Sequence, residues 1–404
     1  MKAYSLLNYL SLILLSWFGI NAIFSNYSFM INHGYKIRIF LELLLLIQSI
    51  KAFGFSLILK RKKVILSIWL LYLILFTIHV LYSYPILTKI FNLNYTGQLW
   101  FYTIDFLCIS TLVSRCNFDV YDFVKKYIVI NSVLSLIIIV QLLQSVGFDF
   151  ISMEATVFSG NVTIITLSYY LVQIAVFSLF LLVDESRRYV NMGRFCFVLS
   201  FILILMLGKR GALLSVVGPC CLIYLIANKT WKQTVLYSCL GIVIYWLIIL
   251  NIDSVFDIMS IFSKRLAETS KVAYYLGDNN GRDDIWEYAI EQIDKGLIWG
   301  TYPKLFTPYS TSFMYGLHPH NIWLESLMTM GLVGSIPFFL YVIYIAIRKV
   351  YVSVKKYNKY AIWGILFIAE FIHGCFSSTL YESPIILCMF ILATMDNKKI
   401  LKWK

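Results

Sequence analysis

The sequence predicts an all-α, polytopic integral membrane protein with about twelve transmembrane helices and one large extracytoplasmic loop. Two observations carry this prediction. Of 404 residues, 60% are hydrophobic and only 14% are charged, whereas about a quarter of the residues of a soluble domain carry a charge. Apolar runs long enough to cross a bilayer also recur along the whole chain, and helices satisfy their own backbone hydrogen bonds in hydrocarbon. Residues 1–404 are therefore predicted to form a single transmembrane domain.

The predicted spans follow the apolar runs in chain order. They lie near residues 6–24, 39–59, 64–84, 99–114, 127–147, 162–183, 195–208, 211–227, 233–250, 321–347, 361–376 and 380–395. The first run has only Lys2 before it and lacks a small-x-small cleavage site, which favours a retained helix over a removed signal peptide. The cysteines lie mostly inside apolar runs without a CxxC, which indicates neither a disulfide framework nor a metal site.

The net charge of +13 is explained by topology. With the N-terminus in the cytoplasm, 22 of the 34 lysines and arginines fall in the inner connections and 11 in the outer ones. Cytoplasmic connections of membrane proteins carry this excess of Lys and Arg. The pattern predicts cytoplasmic N- and C-termini, and it does not indicate nucleic-acid binding.

The longest polar segment, residues 251–320, is predicted to be a large loop on the outer side with two short helices. Residues 253–268 and residues 282–295 each show apolar side chains at helical spacing. The side chains that share the apolar faces are Phe256, Met259, Phe262 and Leu266 in the first and Ile285, Ala289 and Ile293 in the second. Such helices lie on a membrane surface or over a cavity. Residues 296–319 are interrupted by glycine and proline, which predicts a loop.

The first motif that indicates chemistry is Gly208-Lys209-Arg210-Gly211, between two short spans. It places two cations on the outer side, where the topology rule disfavours them. An arginine donates two parallel hydrogen bonds to a phosphate, so the motif predicts an anion site at the membrane surface. The structural alternative is a glycine-flanked turn whose cations reach lipid headgroups. The motif alone leaves both interpretations open.

The second motif is Gly281-Arg282-Asp283-Asp284, shortly before Trp286. Arg282 opens a predicted helix, where a cation is unfavourable against the helix dipole. A site that needs an outward guanidinium group explains this placement. The alternative, which the motif alone favours, is an ion pair with a neighbouring aspartate.

The third motif is His318-Pro319-His320-Asn321, just before a long predicted span. Imidazole titrates near neutral pH, so a histidine at the membrane surface can accept a proton from a substrate hydroxyl. The alternative is a polar cap, with Asn321 as the N-cap residue. A two-histidine metal site would lack a clear third ligand, so no metal is predicted. Glu325 follows Asn321 by one helical turn, which favours a role in supporting the His320 loop.

Further ionisable residues lie inside the predicted spans. They are Glu42, Lys51, Asp105, Glu370, His373 and Glu382. Such residues usually face the bundle interior or a water-filled cavity. Structural pairing is the role that we expect for them. Glu370 and His373 are three positions apart on one helix face and are predicted to pair.

Together the three motifs resemble the O-antigen ligase and polymerase family, the Wzy- and WaaL-like membrane glycosyltransferases. The family has an Arg-Gly or Arg-Ala step between two spans, a large outer loop with an arginine ahead of an aromatic helix, and His-Asn-x-x-Leu-Glu running into a helix with a Gly-rich turn. The matching residues, within roughly 200–345, are Lys209-Arg210-Gly211-Ala212, Gly281-Arg282 with Trp286, His320-Asn321-Ile322-Trp323-Leu324-Glu325 and Gly331-Leu332-Val333-Gly334. Lys209 stands where the family often has Ser or Thr, and Gly300 alone matches its Gly-x-Gly.

The resemblance implies a GT-C-like fold in the bacterial inner membrane and a metal-independent, inverting glycosyltransferase without a cofactor. The implied donor is an oligosaccharide on undecaprenyl pyrophosphate. His320 is the implied general base, and Arg210 and Arg282 are the implied groups that stabilise the pyrophosphate. The residues assigned to substrate binding are Lys209, His318, Asn321 and Glu325.

Two acceptors remain open at this point. A polymerase extends another lipid-linked repeat unit, whereas a ligase transfers the glycan to lipid A–core. The Ile-, Tyr-, Lys- and Asn-rich composition favours the polymerase by association. Besides the lipid bilayer, the implied partners include a chain-length regulator protein. A flippase or other transporter is the alternative from another class, but internal repeats and broken helices, which transporters usually show, are not visible in the sequence.

Overall fold

The computed structural model describes residues 2–24, 28–82, 86–146, 164–183, 189–226, 233, 236, 239–240, 249–262, 264–276, 282–301, 319–376 and 383–396. Of these residues, 88% are helical and none lies in a strand. The all-α prediction is therefore confirmed, while the count of about twelve spans stays a prediction. His318, Glu382 and most of the predicted span at 233–250 lie outside the described residues.

The first helices begin earlier than the predicted spans and end at the predicted residues 24 and 59. They are α1 (Lys2–Leu15), α2 (Trp17–Phe24), α3 (Ser28–Phe53) and α4 (Phe55–Leu59). The predicted span at 6–24 is interrupted at Ser16, and α3 begins well before residue 39. The predicted span at 39–59 left Arg38 just before its start, whereas Arg38 lies inside α3. Its guanidinium group lies 2.8 Å from Glu42 and 3.3 Å from Asp105, and this pairing compensates a charge within the bundle.

The next helices follow the predicted spans, although α6 begins earlier than residue 99. They are α5 (Lys63–Tyr82), α6 (Ile86–Val113), α7 (Val120–Val146), α8 (Ile164–Val183), α9 (Val190–Leu207) and α10 (Arg210–Ile226). Gly208 ends α9 with φ +66°, the left-handed conformation that glycine adopts readily at a helix C-terminus. The predicted break between the two short spans is thus present, and α10 begins directly at Arg210.

The large loop contains one helix more than predicted. Its helices are α11 (Ile252–Phe262), α12 (Lys264–Leu276) and α13 (Arg282–Lys295). The single helix predicted over 253–268 was wrong, because α11 and α12 fold back on each other. Phe256 and Leu266 are buried in this pair, and the Tyr275 hydroxyl donates to Asp253 over 2.7 Å. The helix predicted over 282–295 is confirmed as α13.

Helix α14 (Ile322–Ile345) is sharply folded at Gly331, whose φ of 55° and ψ of −162° are not helical. Trp323 and Phe339 lie 16 positions apart, which corresponds to about 24 Å along a straight helix. Their ring centroids are nevertheless only 5.5 Å apart, and the Trp323 and Phe338 centroids are 6.1 Å apart. The first arm (residues 322–330) therefore runs back along the second arm (residues 332–345).

This fold-back corrects the single span predicted over 321–347. Only the second arm continues, through a π-helical turn (Ala346–Val350) and α15 (Tyr351–Lys355). Residues 332–355 extend over about 36 Å, which exceeds the roughly 30 Å of a hydrocarbon core. The second arm with its continuation is thus long enough to cross a membrane alone.

The last helices are α16 (Ala361–Phe376) and α17 (Ile385–Ala393). Before α16 the chain carries Lys355, Lys356 and Lys359, and we call this side of the bundle the lysine-rich end. The Lys359 ammonium group donates to the carbonyl oxygen of Val113 over 2.9 Å and to that of Arg115. These bonds tie the turn before α16 to the C-terminal end of α6.

Several helices have the length and composition of membrane spans. Within the described residues, the long apolar helices are Lys63–Leu81, Val120–Gln144, Val190–Leu207 and Ile322–Lys355, and the shorter ones are Tyr4–Leu15, Gly97–Val113, Leu167–Val183, Arg210–Ile226 and Ala361–Cys375. The fold at Gly331 means that Ile322–Lys355 contributes one crossing segment and one shorter arm packed beside it. This composition indicates a multi-pass membrane protein.

Candidate active site

His320 lies in a tight turn directly before α14. Its φ of 51° is positive, a conformation that few non-glycine residues adopt and in which histidine is enriched. Pro319 before it is buried, and the His320 side chain is half-buried. Pro319 and His320 thus lie outside a regular helix.

Asn321 fixes the position of this turn in two ways. Its side-chain oxygen accepts hydrogen bonds from the backbone N–H groups of Trp323 at 3.0 Å and Leu324 at 3.2 Å, so Asn321 is the N-cap residue of α14. Its amide group donates to the carbonyl oxygen of Cys375 over 3.2 Å. The cap was predicted from the sequence, whereas the bond to α16 was not. His320 is thereby held beside the C-terminal end of α16.

Glu325 faces the interior of the bundle. Its side chain is fully buried and accepts a hydrogen bond from the Tyr72 hydroxyl of α5 over 3.2 Å. The carboxylate therefore links the first arm of α14 to α5. The role in supporting the His320 loop that its position favoured stays a prediction.

Helix α13 packs along the first arm of α14 and starts near the His320 turn. The Trp286 indole N–H donates to the carbonyl oxygen of Pro319 over 3.0 Å. Ile285, Ala289 and Ile293 form a buried cluster with Met328 of the first arm, on the helix face that the sequence predicted. Arg282 is the first residue of α13, one helical turn before Trp286. The start of α13, with the backbone of Arg282, thus lies close to Pro319 and His320.

Helix α16 lies antiparallel to α8. The Tyr169 ring near the start of α8 stacks on His373 near the end of α16, with centroids 3.4 Å apart. Phe177 contacts Trp363 near the start of α16, with centroids 5.9 Å apart. The N-terminal part of α8 therefore accompanies the C-terminal part of α16.

Helix α9 brings Arg210 to this same end. Gly193 near the start of α9 packs against Leu181 near the end of α8, so α9 runs back along α8 and finishes beside the α8 start. Gly208 and Arg210 follow there directly. We call this end of the bundle, with Arg210, Asn321 and Cys375, the site end. The three separate sequence motifs thus reach one end of the molecule.

The helices that carry these motifs all begin at the site end. Helix α10 begins at Arg210, α13 begins at Arg282, and α14 begins after the Asn321 cap. A helix N-terminus carries a partial positive charge and exposes backbone N–H groups that favour anions. Arg210 and Arg282 are the first residues of two such helices, and Lys209 directly precedes Arg210. Within the described residues, no group of three His, Cys, Asp or Glu side chains is arranged to hold a metal ion.

Residues 195–339 match the family model described as O-antigen ligase. Over this segment the chain is similar to the O-antigen ligase family. The match begins within α9, includes Arg210, Arg282 and His320, and ends at Phe339, where the second arm of α14 meets Trp323. A search of curated proteins gives no match.

This similarity supports a glycosyltransferase-like enzyme of the ligase or polymerase type. It gives no support to the flippase alternative. The argument against a transporter from the absence of broken helices was wrong, however, because α14 is broken at Gly331. A hydropathy pattern does not reveal this break, because no long polar stretch separates the two arms.

Sequence reasoning missed two further features of the site end. Gly300 and Gly331 lie against each other's backbone, with φ of +82° and +55°, and only their position in the family pattern signalled them.

The Glu370 and His373 pair was predicted and is confirmed, with His373 Nδ1 3.2 Å from Glu370. The Ser383 hydroxyl also donates to this carboxylate over 3.2 Å, which no local pattern could indicate.

Proposed function

We propose that this protein polymerises undecaprenyl-pyrophosphate-linked oligosaccharide repeat units into surface polysaccharide on the outer face of the bacterial inner membrane. The observation that carries the proposal is the common end of the bundle reached by Arg210, Arg282 and His320, within a segment that matches the O-antigen ligase model. An O-antigen ligase, which transfers the glycan to lipid A–core, is the second candidate and rests on the same match.

The reaction is a displacement at the anomeric carbon of the donor sugar. An acceptor hydroxyl attacks this carbon, the bond to the pyrophosphate oxygen breaks, and undecaprenyl pyrophosphate leaves. The hydroxyl proton passes to His320, which acts as general base. In-line attack inverts the anomeric configuration. Negative charge grows on the leaving group, so fixed guanidinium groups of Arg210 and Arg282 stabilise the transition state with little reorganisation.

The fold-back of α14 supports a lipid-linked donor. Because the first arm runs along the second, His320 and Asn321 lie beside the membrane-crossing segment and not beyond its end. A pyrophosphate attached to a membrane-embedded polyprenyl chain is confined to the lipid boundary. A site beside the spanning segment can reach it without extracting the lipid.

The remaining predicted site residues divide into two groups. We assign Asn321 and Glu325 to positioning, since their polar atoms hold the His320 turn against α16 and the first arm against α5. Lys209 and His318 remain proposed substrate contacts, and Lys209 adds positive charge beside Arg210.

The decisive experiment is incubation of the purified chain in detergent with a defined lipid-linked repeat unit, followed by gel analysis of the glycan. A ladder of multiples is the expected product of the polymerase. Transfer that occurs only after lipid A–core is added would show the ligase. No new glycosidic bond with either acceptor would refute both activities and favour transport, which needs no covalent step. A deletion strain adds a second readout: loss of a polymerase leaves single repeats on the surface lipid, whereas loss of a ligase leaves none.

A further inference from the structure

The turn that follows α13 presents three consecutive apolar side chains outward. Leu297, Ile298 and Trp299 are 46%, 59% and 61% exposed, and we call them the apolar knuckle. Three consecutive apolar side chains are unfavourable in water, so an exposed run of this kind marks a contact surface. The knuckle therefore needs an occupant.

Backbone hydrogen bonds attach the knuckle to α14 directly after its break at Gly331. The carbonyl oxygen of Leu297 accepts from Leu332 N–H over 2.8 Å, and that of Ile298 accepts from Val333 N–H over 3.2 Å. A Cβ atom at Gly331 would lie 2.3 Å from the Ile298 oxygen. These contacts satisfy backbone groups that the break in α14 leaves without helical partners. The knuckle is thus fixed at the head of the second arm.

The surface directly below the knuckle has the character of a lipid-facing stripe. Exposed apolar side chains recur at helical spacing along the second arm and its continuation. They are Leu332, Ile336, Leu340, Ile343 and Ile347. This stripe belongs to a segment long and apolar enough to cross a membrane. The knuckle lies at the head of this stripe, because its carbonyl groups bond to the first residues of the second arm.

The length of the spanning segment gives the level of the knuckle. Residues 332–355 cover about 36 Å, a little more than the roughly 30 Å hydrocarbon core. With the lysine-rich end at one boundary, Gly331 and the knuckle lie at the opposite one. Tryptophan is enriched at this level, because its amphipathic ring suits the headgroup layer.

We propose that the apolar knuckle inserts into the headgroup and upper acyl layer of the leaflet at the site end, with bilayer lipid as its partner. Through this contact the membrane surface holds the C-terminal end of α13 at a fixed level. Because α13 is one rigid helix, the level of Arg282 at its other end is then set relative to the bilayer. Lipid contact at the knuckle does not depend on the glycosyl-transfer reaction.

Photochemical crosslinking of the full chain tests this proposal. The photoreactive residue p-benzoylphenylalanine replaces Ile298 in protein reconstituted into nanodiscs of phosphatidylethanolamine and phosphatidylglycerol. One control carries the probe at Leu340 on the lipid-facing stripe, and the other carries it at Glu291 on the exposed face of α13. Each variant must elute as a monodisperse nanodisc. Adducts are identified by mass spectrometry.

We expect lipid adducts at position 298 comparable with those at position 340 and far above those at position 291. Adducts of position 298 with this chain's own peptides would overturn the proposal, because the knuckle would then be covered by protein. Adducts with a second copy would also overturn it and would indicate a dimer contact. Absence of lipid adducts at 298 while 340 gives them would equally contradict it.

Discussion

The two ends of the bundle use cationic side chains in opposite ways. At the lysine-rich end, Lys359 donates to carbonyl oxygens at the C-terminal end of α6, and Lys349 donates to the Met395 carbonyl oxygen over 2.7 Å after α17. Arg61 forms an ion pair with Asp396 at 2.8 Å. At the site end, Arg210 and Arg282 are instead the first residues of helices.

The helix dipole explains what this difference means. A cation near a helix C-terminus is stabilising, and the same cation near an N-terminus is destabilising, each by about 0.3–1 kcal/mol. The cations of the lysine-rich end therefore stabilise the fold. Those of the site end oppose it slightly, and they increase the attraction of three helix N-termini for an anion. The position of a cation at a helix N-terminus, against the dipole, is thus a better indicator of function than the number of cations at one end of the bundle.

The largest effect is expected from the loss of the base at the site end. His320→Gln should lower the rate of chain extension by about 10²–10⁴-fold, the usual contribution of a general base. The rate is measured with purified protein and a defined lipid-linked repeat unit. His33→Gln, at an exposed position of α3, is the matched control and should keep the rate. An unchanged rate in the His320 variant would remove this residue from the mechanism.

Arginine-to-lysine substitutions test whether the arginines of the two ends have different roles. Arg210→Lys and Arg282→Lys should each lower the rate by about 10²–10³-fold, because lysine cannot make the two parallel bonds to the leaving pyrophosphate. Their thermal unfolding should be unchanged, since the charge at the helix start is kept.

Arg61→Lys provides the control at the lysine-rich end, where the rate should stay at the wild-type value. Equal loss of activity in all three variants would show that the bundle responds to any change of arginine. The distinction between the two ends would then be void.

Alanine substitutions at two glycines distinguish the role of the break in α14 from the general cost of a positive φ. Gly331→Ala places a Cβ atom 2.3 Å from the Ile298 carbonyl oxygen, whereas Gly54, with φ +74°, has nothing within 4 Å of its added Cβ. Both substitutions should lose about 1–2 kcal/mol for the left-handed backbone. Only Gly331→Ala should lose further stability and activity, because it separates the knuckle from the second arm. Equal melting temperatures and rates in the two variants would contradict the role of the fold-back.

The smallest effect is expected at two asparagines, Asn321 and Asn358, whose side chains accept from a backbone N–H group two residues ahead. Asn321→Asp keeps the acceptor for the Trp323 and Leu324 N–H groups but removes the donor to the Cys375 carbonyl oxygen, at a net cost of about 1 kcal/mol. Asn358 accepts from Tyr360 N–H at 2.9 Å, and its Nδ2 is buried without a hydrogen-bond partner in the described part of the chain.

Asn358→Asp is therefore the matched control, because it changes the same atom where no bond is lost. We expect a reduced rate for Asn321→Asp and a wild-type rate for Asn358→Asp. The reverse order would show that the bond to α16 does not position His320.

The sequence was sufficient for features set by local pattern. The apolar face of α13 and the Asn321 cap follow from residue types at fixed spacing, and both are present in the structure. The site motifs were found because their order matches a family, while their common position depends on α8, α9 and α16 running antiparallel. No spacing within one motif contains that information.

Two features could not be read from local pattern for definite physical reasons. Arg38 fell just before the predicted span at 39–59, yet it lies inside α3 and pairs with Asp105, 67 positions away. The reversal at Gly331 was missed because the backbone bonds that satisfy it come from residues 297 and 298. Both depend on contacts between distant segments, which hydropathy does not report.

An experimental structure of the purified chain with bound undecaprenyl pyrophosphate would test most directly whether three distant motifs form one site. We predict that the guanidinium groups of Arg210 and Arg282 both contact the pyrophosphate, with the His320 imidazole on the side where the donor sugar would lie. Pyrophosphate bound at the lysine-rich end, or contacting one arginine while the other faces a separate opening, would contradict the proposed site.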